Sequence, residues 1–571
     1  MCGGGGRRAL PGGGARVNAS APDRSSTPSR WRRAFALLAV RPEVGSETLI
    51  VVASLYFSLF ANAVFWQAAA PQPWSQWAWT LSLFLLVTAV HGVWLSLLVW
   101  RGTARIVLSA LVVLAALAGH YMASYGIYID ADMIRNVLHT DWREASDLAG
   151  TDALLPLLAA LPALVVVWRV RVRPRTWSRV LLMRAAFLVG TVIVGLVGVL
   201  PSTQQLTAFL RNQREVRYLV TPANVLVSLA KVVSEDPPGR TRVQLPIGED
   251  AVQSPAAAVR RPRVLVLVVG ETARAANWGL NGYERQTTPE LAKRNVLNFP
   301  RVTACGSSTE VSLPCMFSPL GRKQYDEKAI RSQQSLLHVL QRAGVETLWR
   351  DNQSGCKGVC NGLPVEDLHA RTDAGLCDGK RCHDGILLAG LGDAIHRHHG
   401  DQVIVLHMLG NHGPNYFERY PPAFKVYQPV CETSDLGRCS RAQIVNAYDN
   451  ALRYTDRVLA DVVDQLAGMK DLDTAMLYVS DHGESLGEKG LYLHGMPYAI
   501  APKEQLDVPM VAWFSDGWRA STGLDDACLR RQTGGSRSHD DLFHTVLGLT
   551  DVKTSLYRPD HDIFLACRGG R

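Results

Sequence analysis

Three short stretches hold side chains whose types and spacing could do chemistry together. CGSSTEVSLPCMF, Cys305 to Phe317, sets the hydroxyl of Thr309 between two cysteines. VVGE places the carboxylate of Glu271 directly after an apolar run, and SDHGESLGEKGLYLHG offers Asp481 and His482 directly after another. A threonine hydroxyl is a weak nucleophile unless a base or a metal ion activates it. Carboxylate and imidazole groups suit zinc, and coordination lowers the pKa of a bound oxygen enough to ionise it near neutral pH. Glu271, Thr309, Asp481 and His482 would complete a four-coordinate site. An Asp-His pair after a strand is by itself more often structural than catalytic; the combination in this order is the signal.

Elements able to bring these residues together follow Arg263. There VLVLVV (264–269), VETLW (345–349), QVIVLHM (402–408), AMLYVS (475–480) and VPMVAWF (508–514) alternate with helix-like segments. Such continuously apolar runs are typical of parallel strands covered by helices on both faces, which predicts an α/β sandwich around a mostly parallel sheet. In such sheets ligands bind beyond the carboxyl ends of the strands. Glu271, His412 and the Asp481–His482 pair all follow a strand shortly and are expected to converge there.

At 571 residues the chain exceeds one ordinary domain, and its apolar residues crowd into the first two hundred. Five hydrophobic spans are read there, Thr48–Phe65, Trp79–Trp100, Ile106–Tyr125, Ala153–Val170 and Val180–Leu200, each close to the ~20 residues that cross a bilayer. The tail before them carries Arg7, Arg8, Arg16, Arg24, Arg30, Arg32, Arg33 and Arg41, whereas the loops at 66–78 and 126–152 are poor in Lys and Arg. The positive-inside rule then leaves the tail in the cytoplasm and the C-terminal half outside it. That tail is too long for the first span to be a cleaved secretory signal ending at ANA, Ala61 to Ala63. Its arginines need topology and anionic lipid as partners, not nucleic acid. The expected organisation is a basic tail (1–47), a five-helix membrane domain (48–200) with a periplasmic loop (126–152), a membrane-surface helix and linker (201–262), and a catalytic domain (263–571).

Cysteine usage agrees with that placement. Of eleven cysteines only Cys2 precedes residue 300. The others fall as local neighbours, Cys305 with Cys315, Cys356 with Cys360, Cys377 with Cys382, Cys431 with Cys439, and Cys528 with Cys567 by elimination. Spacing alone leaves zinc-thiolate sites open as the other reading, but an oxidising compartment favours disulfides. Between the two halves, Gln204 to Lys231 mixes Arg211, Arg214 and Arg217 with Leu219, Val220, Val225, Leu226 and Leu229, the pattern of an amphipathic helix along a membrane surface. EDPPGRTR and a Pro/Ala-rich stretch to Arg263 then read as a linker.

VVGETARAANWGLNGYERQTTP, CGSSTEVSLPCMF, LWRDNQSGCKGVC, HMLGNHGP, NAYDNALRYTD and SDHGESLGEKGLYLHGMPYAIAPKEQ are similar to the matching blocks of the lipid A phosphoethanolamine transferases, a group that includes the mobile colistin-resistance enzymes. The resemblance implies the alkaline phosphatase and sulfatase fold for the soluble domain. It implies that Thr309 becomes phosphoethanolaminated, that Glu271, Thr309, Asp481 and His482 hold one tightly bound zinc ion, and that His412 and His494 bind substrate phosphate or a second zinc. Lys357 matches a lysine near the transferred group. In MIRNVLHTDWREASD, Asn136, Thr140 and Glu144 fall at i, i+4 and i+8 on one helical face, where a lipid headgroup could be held. Glu310 departs from the family, which usually has a small or uncharged residue after the nucleophile; a carboxylate there could perturb metal charge or acceptor preference, and the favoured reading is that it simply faces solvent.

The expected reaction is a two-step transfer of phosphoethanolamine from phosphatidylethanolamine to lipid A phosphate, which reduces envelope negative charge and polymyxin binding. Lipopolysaccharide core sugars are the alternative acceptors. The expected setting is the bacterial inner membrane, with the catalytic domain of a monomer in the periplasm. A sulfatase would need a C/S-x-P-x-R context that TEVSL lacks. A phosphoglycerol transferase would share fold, metal and threonine and differ in the headgroup donor, and a non-enzymatic membrane sensor would not need the four residues together.

Overall fold

The structure, a computed structural model, describes residues 41–140, 145, 153–235, 244–255, 260–369, 371–373, 375–379 and 381–569. The apolar N-terminal half is helical: α1 (Ser46–Phe60), α2 (Ala63–Ala69), α3 (Trp77–Leu98), α4 (Ala104–Tyr125), α5 (Ala131–His139), α6 (Leu154–Arg169), α7 (Trp177–Val199), α8 (Thr203–Asn212) and α9 (Ala223–Glu235). Every predicted span coincides with helix, but not every one is a single long helix. Among the described residues three stretches are long and apolar enough to cross a membrane, Trp77–Leu98, Ala104–Tyr125 and Trp177–Asn212. The first predicted span is α1 and α2, bent by 62° at a break. The fourth is the 16-residue α6, with Pro162 inside it.

The single amphipathic helix expected over Gln204–Lys231 is instead α8, a 3-10 turn at Arg214–Leu219, and α9. Pro222 explains the gap between the 3-10 turn and α9, because proline lacks a donor and disfavours helical backbone in the residue before it. Val225 and Val232 of α9 are buried, and α9 packs against α5. The tail arginines before Arg41 lie outside the described residues.

The second half is built on an eight-stranded sheet of β1 (Arg263–Gly270), β2 (Leu297–Thr303), β3 (Glu346–Asp351), β4 (Val365–Asp367), β5 (Gln402–His407), β6 (Asp473–Ser480), β7 (Asp507–Phe514) and β8 (Arg537–Ser538). Across the sheet the order is β8-β2-β7-β6-β1-β5-β3-β4. The central β1 shows why these runs are strands: all eight of its residues are buried, and alternate side chains enter opposite cores. Leu265, Leu267 and Val269 join one, and Val264, Val266 and Val268 the other. The long helix α12 (Arg441–Gly468) covers the second face, started by a Ser440–Gln443 capping box.

The sheet is mixed. β7, read from VPMVAWF as parallel, runs antiparallel to both neighbours, and the other ladders are parallel. Burial on both faces makes a strand continuously apolar whichever way it points, so the run did not report direction. Sequence reading also missed β2, where Pro300 and Arg301 are exposed and interrupt the apolar pattern. Its register slips against β7 between Val508 and Met510, opposite Pro300, as a bulge allows.

Candidate functional site

Register brings the first two parts of the site together. Gly270 pairs with Ser480 at the ends of β1 and β6, and Asp481 N–H donates to Gly270 O at 2.9 Å. Glu271 and Asp481 therefore leave the sheet side by side. Tyr448 of α12 fixes the chain after Glu271, donating its hydroxyl to Thr272 O (2.6 Å) and accepting from Arg274 N–H (2.9 Å). Gly410, at φ +56°, lets the loop after β5 close on Glu271, since a Cβ there would stand 2.6 Å from Glu271 O. Thr309 opens helix α10 (Thr309–Met316), whose N-terminus favours negative charge. Buried His539 ties this helix to the sheet. Its Nδ1 accepts from Cys305 N–H (3.1 Å) and its Nε2 donates to Ser480 O (2.9 Å).

Thr309 Oγ1 donates to Glu271 Oε2 at 2.9 Å and lies 3.2 Å from His482 Nε2. His482 Nδ1 donates to Gly483 O at 2.9 Å, which fixes the ring and turns Nε2 toward the two carboxylates. That nitrogen is 3.3 Å from Glu271 Oε1 and 3.4 Å from Asp481 Oδ2. All four side chains are buried, yet Glu271 Oε1 and Asp481 Oδ2 have no hydrogen-bond partner. Burial and the neighbouring Glu271 push the Asp481 carboxyl up to about 7. Burial acts to lower His482, but the charges of Asp481 and Glu271 outweigh it and push the imidazole up to about 10. Two orphaned carboxylate oxygens, an imidazole nitrogen and a hydroxyl turned on one point form a donor set short of positive charge. That set fits a zinc ion.

His494 adds to the cluster. Glu271, His482 and His494 each bring one donor atom within 4.8 Å of the others. The rings of His482 and His494 are 4.4 Å apart, and that of His412 is 5.3 Å from His494. Buried Glu484 accepts from His494 Nδ1 at 3.2 Å. Desolvation lowers His494, with Glu484 offsetting part of the effect. Lys357 sits in left-handed backbone at φ 47° and donates to Ser354 Oγ at 2.9 Å. With Ser354, Glu310, Arg331 and His139 it lines a cavity of about 460 Å³. Asn136 and Thr140 lie at the end of α5, half-buried, whereas Glu144 falls outside the described residues. Glu310 does not face solvent: it is fully buried and paired with Arg331 and His139.

Five residues were missed by sequence reading: Glu484, Gln353, whose amide reaches Glu271 Oε2 at 3.4 Å, His539, and the buried pair Asp351 and His407, 2.6 Å apart. The predicted disulfides all form, Cys305–Cys315, Cys356–Cys360, Cys377–Cys382, Cys431–Cys439 and Cys528–Cys567.

Comparison with known proteins matches both halves. Residues 263–552 fit the sulfatase family model, and residues 87–236 fit the family described as phosphoethanolamine transferase EptA/EptB. Phosphoethanolamine transferase EptA of Escherichia coli K12 is 37% identical over 543 residues, covering 92% of this chain and 98% of that protein. Phosphatidylethanolamine transferase Mcr-1 of Escherichia coli is 39% identical over 466 residues, covering 79% of this chain and 84% of that protein. The integral membrane lipooligosaccharide phosphoethanolamine transferase A of Neisseria meningitidis superposes with a TM-score of 0.87 at 37% identity, over 92% of this chain and 100% of that one.

Proposed function

The chain belongs to the phosphoethanolamine transferase family of EptA and Mcr-1, and from that premise we propose that it transfers phosphoethanolamine from phosphatidylethanolamine to lipid A phosphate through Thr309. The observation that carries the assignment of Thr309 is its hydroxyl, buried at a helix N-terminus between Glu271 Oε2 and His482 Nε2. Glu271 accepts the hydroxyl proton and raises electron density on Oγ1. The oxygen then attacks the donor phosphorus in line, the phosphorus–oxygen bond to diacylglycerol breaks, and phosphoethanolamine remains on Thr309. His412 and His494, grouped beside His482, are placed to give the leaving alkoxide its proton. A lipid A phosphate oxygen attacks the phosphothreonine in turn and restores the hydroxyl. Lys357 and the N-terminus of α10 offset charge on the phosphoryl oxygens.

Glu271, Thr309, Asp481 and His482 would hold zinc, which when bound lowers the pKa of the hydroxyl and acts as a Lewis acid on the phosphoryl group. Both substrates are lipids, so the apolar helices belong to the function. Five crossings, counting bent α1–α2 and short α6 as spans, leave the catalytic half in the periplasm of an inner-membrane protein, and Asn136 and Thr140 of α5 meet the donor headgroup.

Lipid A extracted from a Gram-negative host expressing the native chain should carry a phosphoethanolamine increment in mass spectra that the Thr309→Ala chain does not give. An increment on core sugars alone would transfer the assignment to those acceptors. Persistence of the increment in Thr309→Ala would remove the threonine from the mechanism.

A further inference from the structure

Glu310, the residue after the candidate nucleophile, is a carboxylate with no exposed surface. Desolvating a charge costs several kcal/mol unless partners compensate it. The partners come from two halves of the molecule. Arg331 Nη1 reaches Glu310 Oε1 at 2.9 Å, and Arg331 Nη2 donates to the Glu310 carbonyl at 2.8 Å. The same Oε1 accepts from Nδ1 of His139, at the end of α5 in the membrane half, at 3.0 Å. Burial acts to raise the Glu310 carboxyl, but His139 and Arg331 outweigh it and hold it below the ordinary value.

These contacts are two sides of a closed ring. Arg331 Nε is 3.2 Å from Glu327 Oε1 on α11 (Glu327–Ser332). That oxygen also takes Arg135 Nη1, and Arg135 lies one helical turn before His139 on α5. The contacts run Arg135, Glu327, Arg331, Glu310 and His139, basic and acidic side chains in turn, and the two ends share a helix. Arg135 is nearly inaccessible and also donates to Glu235 Oε2 of α9 at 2.9 Å. On its other flank α5 meets the loop bearing His494, where a Cβ on Gly495 would stand 2.9 Å from Met133 Cε. One short helix of the membrane half thus touches both the Thr309 helix and the His494 loop.

We propose that Glu310 is a positioning residue, the keystone of a charge ring that fastens α5 of the membrane half over the Thr309 helix so that a membrane-held donor headgroup is presented in line with the hydroxyl. The proposal rests on the transfer reaction above. It gives the carboxylate a task that a small residue at 310 could not perform. The ring acts on presentation of the lipid and leaves the chemistry at Thr309 alone, so the two are separable by donor.

Full-length zinc-loaded protein in bilayer nanodiscs is assayed with phosphatidylethanolamine and with a water-soluble nitrophenyl ester of phosphoethanolamine. Glu310→Ala, and Glu327→Gln on the far side of the ring, should each lower kcat/KM for the lipid by about tenfold to a hundredfold, the scale of a small misplacement of reacting groups. Cleavage of the soluble ester should be unchanged, and amide hydrogen exchange over 131–139 should quicken in both variants. Equal losses on both donors would mean that Glu310 acts directly on Thr309. An unaffected lipid rate in Glu327→Gln, or unchanged exchange in α5, would overturn the ring. If the native chain acted on neither donor, the transfer reading would fall, and exchange alone would decide the ring.

Discussion

Thr309 Oγ1 donates its one proton to Glu271 Oε2 at 2.9 Å and stands 3.2 Å from His482 Nε2. Removing the hydroxyl leaves Glu271 and His482 facing each other, so Thr309→Ala should fold and insert while losing transfer by about ten-thousandfold or more, as for other nucleophiles acting within a unit. Chelation should lower the melting temperature of the native chain as well as its activity, because a metal bound only by the folded site stabilises it by mass action and its removal leaves two buried carboxylates sharing the His482 imidazole. Readdition of zinc should restore both. His539 makes a different demand, for neutrality. Burial depresses it to about 4, so the unfolded chain, titrating at about 6.5, binds the proton more tightly. Its contribution, about 3 kcal/mol, is full above pH 6.5 and is lost as pH falls through 4. His539→Gln should therefore flatten the dependence of the denaturation midpoint on pH between 6.5 and 4. Glu271, Thr309, Asp481 and His482, which the structure brings together, were legible because they sit in contiguous motifs, Glu271 and the Asp481–His482 pair directly after strands. His539 and Glu484 were not: each is a single polar residue whose meaning comes from a partner distant in the chain or across a turn.

Two strand ends and one helix start hold the site, and the loop that follows β1 is pinned from α12. Tyr448 on α12 carries two backbone hydrogen bonds across that loop. Tyr448→Phe keeps the ring but leaves Thr272 O and Arg274 N–H buried and unpaired, at a cost of about 1–3 kcal/mol each. Denaturant titration should show that loss, and zinc affinity should fall with it because Glu271 adjoins Thr272. Elements were legible to the degree that burial made them periodic or continuous. β1, β5 and β6 are buried throughout and apolar through their centres, and were legible as strands for that reason. The antiparallel course of β7 was hidden because its side chains are buried like those of a parallel strand. The bend between α1 and α2 was hidden because hydropathy averages across the break at Ala61 and Asn62.

The molecule as a whole divides its covalent and non-covalent constraints between its halves. The membrane half relies on helix packing and on contacts such as Arg184, which donates to Ser96 O (2.6 Å) and Val99 O (3.0 Å) between α7 and the end of α3. The soluble half adds five disulfides, four of them between cysteines ten residues apart or fewer. Loop-closure entropy grows with the enclosed length, so Cys528–Cys567, separated by 39 residues, should stabilise by about 4 kcal/mol, and Cys305–Cys315, separated by 10, by about 3 kcal/mol. Their functional weights should rank the other way. The shorter bridge joins the start of the Thr309 loop to the far end of α10, and both its sulfurs lie in a small core with Ile330, one residue before Arg331. Replacing both cysteines of each bridge by alanine should therefore lower the melting temperature more for the 528–567 pair. Transfer activity, measured below either melting temperature, should fall more for the 305–315 pair. Equal effects on activity would mean that α10 is held by its hydrogen bonds to His539 and Asp481 with no need of the bridge.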